Sequence, residues 1–168
     1  MKIDILSRAK KKKFVEGVSS LGLEKIPQLL IRTGKERIRA YSGNLSKEEI
    51  WDLWRVLPIE GIGLYVGKDS FNRNGIQETR LSIDGLHIWN EQITGNVVEL
   101  DEDLEETWFK GEKLELGEGN NFAEFSGKFV AVKSVSSGDF IGTGKISVDG
   151  LVLHNFLPKE RRRKSQTI

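Results

Sequence analysis

After Gly95 the apolar residues come in short runs, none longer than a β-strand. The runs are Val97–Leu100, Lys113–Leu116, Phe129–Val132, Phe140–Ile146 and Leu151–His154, separated by segments rich in glycine, asparagine and serine. Short extended runs with turn signals at close intervals specify the strands of a small barrel rather than a bundle of helices. The one helical interruption is Asp101–Phe109. Its acidic first turn suits the positive end of a helix dipole, and Gly111 stands where a left-handed C′ residue would end it. Only strands are therefore expected between Phe129 and His154.

The first half mixes the two periodicities. Leu6–Val18, with its lysine run, reads as a basic helix ended by Gly17 or by the Ser19-Ser20 pair. Gln28–Arg32 and Arg37–Tyr41 read as strands joined by a turn at Thr33–Glu36. Ser46-Lys47-Glu48-Glu49 is a capping box, and Ile50, Trp51, Leu53, Trp54 and Leu57 follow at helical spacing until Pro58. That face places Trp51 and Trp54 in a core. Ile62–Gly67 reads as a buried strand, Lys68–Glu78 as a polar loop, and Leu81–Trp89 as a short helix. The character changes at Thr94-Gly95-Asn96. The fold expected is α+β: an N-terminal α/β domain over residues 1–94, packed on a barrel over 95–168 that ends in a basic tail.

Several chemistries are excluded by residue type. There is no cysteine, so disulfides, thiolate metal sites and a cysteine nucleophile are ruled out. His87 and His154 are the only imidazoles and stand far apart in sequence, which argues against a metal site. Gly142-Thr143-Gly144 and Gly61-Ile62-Gly63 both lack the further glycine and the strand–helix setting of a dinucleotide fingerprint. No nucleophile lies in a recognisable elbow. The expectation is therefore no catalytic residue, no cofactor and no metal. No apolar stretch approaches the roughly 18 residues of a membrane span. The amino terminus lacks an apolar signal core, so a cytoplasmic protein is expected.

Charge distribution points elsewhere. The net charge is only +1, yet the chain is polarised. Five carboxylates crowd into Asp101–Glu106, five cations into Lys159–Lys164, and another cationic run spans Arg8–Lys13. A nearly neutral protein can carry a local basic surface in this way. Gly142-x-Gly144-Lys145 followed by Asn155-x-x-Pro158-Lys159-x-Arg161-Arg162-Arg163 combines small residues, which permit close backbone approach, with phosphate donors. Asn155 has both a donor and an acceptor to offer, to RNA or to its own turn.

These segments carry a family resemblance. Val97–Leu114, with Phe109-Lys110-Gly111, resembles the opening of a PUA domain, and Gly142-Thr143-Gly144-Lys145 resembles its final hairpin. Gly63-Leu64-Tyr65-Val66-Gly67, taken with the closing Asn155-x-x-Pro158-Lys159, is similar to the C-terminal RNA-binding region of Nop/Sun-type RNA cytosine-5 methyltransferases. A weaker similarity extends to Nip-type ribosome-biogenesis proteins. The resemblance covers about residues 62–164. It implies a partner in structured RNA, either rRNA or tRNA, with the chain acting alone or beside an RNA-modifying enzyme or a ribosomal precursor. Carried over residue by residue, it implicates Lys110, Gly111, Lys113, Gly144 and Lys145. The closing segment adds Asn155, Lys159, Arg161, Arg162 and Arg163. The absent cofactor domain and cysteines mean that it implies no methylation by this chain. Two other classes compete. One is an enzymatic or small-ligand domain on a PUA-like barrel, and the other is an adaptor using Trp89 and Trp108 as exposed aromatics.

Overall fold

The computed structural model describes residues 2–164; the last four residues of the expected basic tail, 165–168, lie outside the described residues. Over the described residues the chain is a mixed α/β protein with two five-stranded sheets. It forms two compact units, one comprising the residues up to Ser19 with Leu23–Gly85, the other Ser20–Gly22 with the residues from Leu86 onward.

In the first unit β1 (Ile3–Ile5), β2 (Leu29–Thr33), β3 (Arg37–Tyr41), β4 (Leu64–Phe71) and β5 (Gln77–Leu81) form an antiparallel meander in sequence order. Helix α1 (Arg8–Gly17) is capped by the Ser7 side chain and buries Phe14. The Phe14 ring packs where a side chain on Gly67 would stand, since a Cβ there would lie 3.3 Å from the ring. Helix α2 (Lys47–Val56) starts with the capping box the sequence specifies: the Glu49 amide donates to Ser46 Oγ and the Ser46 amide to Glu49 Oε2. The Ser46 contacts hold the Glu49 carboxyl below its ordinary pKa, the backbone amide being the larger cause.

Three expectations are corrected here. Lys68–Glu78 is not a loop but most of the β4–β5 hairpin. Its polarity misleads because one buried position is a charge: Asp69 accepts from Arg32 at 2.7 Å, Gln77 at 2.6 Å and Thr79 at 3.1 Å. A buried carboxylate with its acceptor sites filled can occupy a strand that hydropathy assigns to solvent. The connection shrinks to a tight turn in which Asn72 Oδ1 accepts from the Asn74 and Ile76 amides. Next, Trp51 and Trp54 are half-buried, packed edge to face at 5.8 Å beside a core whose α2 anchor is Ile50. Finally, Leu64, in the run read as buried, is exposed.

Apart from Ser20–Gly22, the second unit runs from the end of α3 (Ile83–Ile88). Its sheet comprises β6 (Val97–Leu100), β7 (Leu114–Glu115), β8 (Phe129–Ser134), β9 (Phe140–Ile146) and β10 (Val152–Asn155), in the order β6-β8-β9-β10-β7. The β6–β8 pairing is parallel and the others antiparallel. The sheet curls as a half-barrel, and Phe129–His154 holds only the strands and turns expected. Helix α4 (Glu102–Phe109) joins edge strands β6 and β7 and packs against both. Asp101 caps it and Gly111 ends it at φ 82°.

Trp108 fills the space between α4 and the sheet. It is 0% exposed, and its indole N–H donates to the Ile141 carbonyl at 3.0 Å. A Cβ on Gly142 would lie 3.0 Å from the ring, so glycine lets strand and indole meet. Trp89 is buried as well. The reading of Trp89 and Trp108 as exposed aromatics is therefore wrong: the indole of Trp108 has a fixed backbone acceptor and an apolar enclosure, the condition under which tryptophan is interior.

The packing sets two stability outcomes. Trp108→Ala is expected to cost about 3–5 kcal/mol by urea denaturation, because transfer and cavity effects add. In the first unit Ile50→Ala should cost about 2–5 kcal/mol. Its effect should exceed that of Trp54→Ala per buried carbon, and the reverse order would mean that the tryptophan pair anchors α2.

Candidate nucleic-acid interface

The residues singled out from sequence fall into two clusters on the second unit. The first surrounds the C-terminus of α4. Gly111 turns the chain there, and a Cβ on it would come within 2.3 Å of Arg162 Nε and 2.7 Å of its Cζ. Arg162 thus lies across Gly111, and its Nε donates to the Leu157 carbonyl at 3.0 Å. The neighbouring Arg163 is tied twice to α4. Its amide donates to the Phe109 carbonyl at 2.8 Å, and its guanidinium stacks 4.4 Å from the centre of the Phe109 ring. Arg162 and Arg163 are consequently docked at the helix end, a favourable place for cations because the last carbonyls carry the negative pole of the dipole.

Asn155 holds this arrangement together. Its Nδ2 donates to the carbonyls of Trp108 at 2.8 Å and Glu112 at 3.0 Å, and its Oδ1 accepts from the Leu157 amide at 2.8 Å. Both ends of the amide are thus used by its own fold. Gly144 is similarly occupied: a Cβ would sit 2.5 Å from Leu153 Cδ1 and 2.9 Å from the His154 carbonyl, so its smallness serves the β9–β10 pairing. Lys110 pairs with Glu106 at 3.1 Å and Lys113 with Glu115 at 2.9 Å. Beside α4 lies a groove of 530 Å³ in which Lys110, Arg163 and Lys164 face Glu102, Asp103, Glu105 and Glu106. Its carboxylates outnumber its cations, a poor setting for a phosphate. Among the described residues no group of three or more His, Asp or Glu side chains is placed to hold a metal.

The second cluster stands on the outer face of the sheet. Phe129, Lys145 and His154 are in register across β8, β9 and β10, so their side chains leave the sheet on one side. Lys145 Nζ lies 4.9 Å from the centre of the Phe129 ring, and Phe129 meets Phe156 edge to face at 5.7 Å. Phe156 and His154 are exposed and Lys145 is half-exposed. The Phe156 amide donates to the Thr143 carbonyl at 3.2 Å, which extends the β9–β10 ladder and fixes the ring beside Phe129. Beyond it the chain bends through Pro158 into a single 3-10 turn, Lys159–Arg161, whose Lys159 and Arg161 are exposed. A cation lying on aromatic rings at a solvent-facing sheet surface can hold a phosphate and offer a stacking partner to a base.

The residues read from sequence as candidates omitted Phe129, Phe156 and His154. The signal was present in the alternation: Val130, Ile146 and Leu153 are buried, so their neighbours Phe129, Lys145 and His154 must face out.

The architecture is that of PUA domain proteins. The chain is similar to the structure of a conserved PUA domain protein from Thermoplasma acidophilum, with a TM-score of 0.58 and 16% identity, over 95% of this chain and 97% of that one. It is also similar to a PUA domain from Aeropyrum pernix K1 in a tartrate complex, with a TM-score of 0.56 and 13% identity, over 98% and 88% of the two chains. No family model and no curated protein sequence matches the chain. At these identities the likeness is one of fold. Among the described residues, no helix is long and apolar enough to cross a membrane.

The clamp formed by Asn155 gives a test that separates structure from binding. Asn155→Ala removes the side-chain partner of the Trp108 and Glu112 carbonyls and of the Leu157 amide, the Trp108 carbonyl keeping the Gly111 amide, and is expected to lower stability by about 1–3 kcal/mol in urea. A variant that melts like wild type while losing nucleic-acid affinity would return Asn155 to the interface.

Proposed function

We propose that the chain is a non-catalytic RNA-binding protein. In this reading the sheet face of the second unit, with Lys145, Phe129 and Phe156, is the contact surface, and exposed Lys159 and Arg161 extend it. The observation that carries it is Lys145 in register with Phe129, with a second aromatic edge to face, on a solvent-exposed face of a PUA-type fold. Phosphate contacts supply affinity and the rings accept bases without a strict sequence requirement. The ligand is structured RNA of the rRNA or tRNA class, bound in the cytoplasm by the chain alone or beside an RNA-modifying enzyme. Arg162 and Arg163 support the surface by docking the closing segment on the α4 end, and the exposed Lys110 and Lys113 stand beside it in surface pairs with Glu106 and Glu115.

Filter binding of bulk tRNA and ribosomal RNA at two salt concentrations tests this reading. Affinity should fall steeply with salt. Lys145→Ala and a combined Lys159→Ala, Arg161→Ala variant should each weaken binding and flatten the log–log salt dependence by about one unit for every phosphate that is no longer neutralised. Phe156→Ala should weaken binding by about 1–3 kcal/mol with the salt slope unchanged, since stacking releases no counterions. Retention of full affinity in both Lys145→Ala and Phe156→Ala would remove the sheet face as the contact surface.

A further inference from the structure

The first unit carries a row of cations that a sheet would not choose for stability. Arg37 on β3 is registered opposite Lys68 on β4, and Lys68 opposite Arg80 on β5. Paired residues on adjacent strands leave the same face, so three cations stand abreast across three strands. Like charges directly opposite destabilise a sheet, and the central Lys68 is offset by Glu36 at 2.8 Å. Strands lie about 4.8 Å apart, so the three charges sit within about 10 Å as a line.

Next to the row is a groove of 390 Å³ lined by Thr33, Arg37, Arg39 and Lys68, with Glu36 and Glu60. Arg37 is exposed and makes no ion pair among the described residues. Arg39, two positions along the same strand, is held by its surroundings. Its Nη1 donates to the Gly63 carbonyl at 2.9 Å, and Gly61 lies so close that a Cβ there would be 2.9 Å from its Cζ. Its buried Nε has no hydrogen-bond partner among the described residues. Glu36 is the nearest counter-charge, bound by Lys68 at 2.8 Å. Its carboxyl lies below the ordinary value, first through that hydrogen bond and further through the charges of Lys68, Arg80 and Lys35, against a raising effect of burial. Cations thus outnumber carboxylates around the groove, and no large apolar side chain lines it.

We propose that this groove is a phosphate-binding site that takes the backbone of an RNA strand, with Arg37 and Lys68 as the charge contacts and Arg39, anchored on the Gly63 carbonyl, as a fixed positive charge beside them. The identity of the polymer rests on the RNA-binding reading above; the site itself does not. A line of charges matches a polyanion better than a single carboxylate. The polar lining offers nothing to insert into a lipid surface.

The experiment compares wild type, Arg37→Ala with Lys68→Ala, Arg37→Lys, and Lys145→Ala for tRNA binding at two salt concentrations. Thermal melts establish that each variant is folded. The double variant should bind roughly 5- to 20-fold more weakly at low salt, with a slope shallower by about one to two units. Arg37→Lys should stay within about threefold of wild type, because charge rather than fork geometry is what Arg37 supplies. Should the double variant melt early, Arg37→Glu alone carries the test and should weaken binding at least as much. Unchanged affinity and slope in the folded double variant, or in Arg37→Glu, overturns the groove. If Lys145→Ala binds like wild type while the double variant is weakened, the groove stands and the sheet-face reading falls. If wild type retains no tRNA at low salt, amide chemical shifts are followed as inorganic phosphate is added. Perturbations confined to residues 33–39 and 61–68 then support the groove, and their absence there overturns it.

Discussion

The second unit depends on the enclosure of Trp108. A half-barrel sheet of five strands has two edges, β6 and β7, and something must close the gap between them. Helix α4, linking those two strands, does so by driving one large indole into the sheet's concave side. The geometry works because Gly142 removes the Cβ the ring would strike, and because the Ile141 carbonyl takes the indole proton. Truncation there removes volume and hydrogen bond together, and it also releases the helix on which the closing segment is docked.

That docking explains why charged residues close in sequence serve different ends. The carboxylates of Glu102, Asp103 and Glu105 lie in the first turn of α4, where they complement the exposed amides. The cations of the closing segment lie at the other end, where Arg163 stacks on Phe109 and Arg162 covers Gly111. The charge separation visible in the sequence is thus largely a helix with its dipole answered at both ends. Cations of this unit that face solvent away from that helix end include Lys145 on the sheet, Lys128, Lys133 and the exposed residues of the 159–161 turn.

Local signals were legible. The Ser46 capping box, the β2–β3 hairpin, the Asp101 cap and the Gly111 terminator each follow from backbone chemistry within a few residues, and the structure contains each of them. Long-range partners were not legible. Asp69 occupies a strand because Arg32, 37 residues away, shares its burial, and hydropathy over a window cannot see that pairing. Trp108 reads as available until Gly142 and Ile141 are known to face it. β1 is too short to leave a periodicity, and only its register with β2 defines it.

The glycines at positions 142 and 144, with Asn155, carried the family resemblance, and the structure assigns all three a packing or clamping task. Gly142 admits the Trp108 ring, Gly144 admits Leu153 and the His154 carbonyl, and Asn155 ties Trp108 and Glu112 to Leu157. A motif of this kind is a signature of how the sheet and α4 are closed, so it tracks the fold more directly than the ligand. Contact residues are then to be sought one position away from such a motif, since strand alternation turns the neighbour of an inward position outward. Lys145 follows Gly144, and Phe156 follows Asn155. Both face solvent around Phe129, where substitution tests the proposed contact without first dismantling the core.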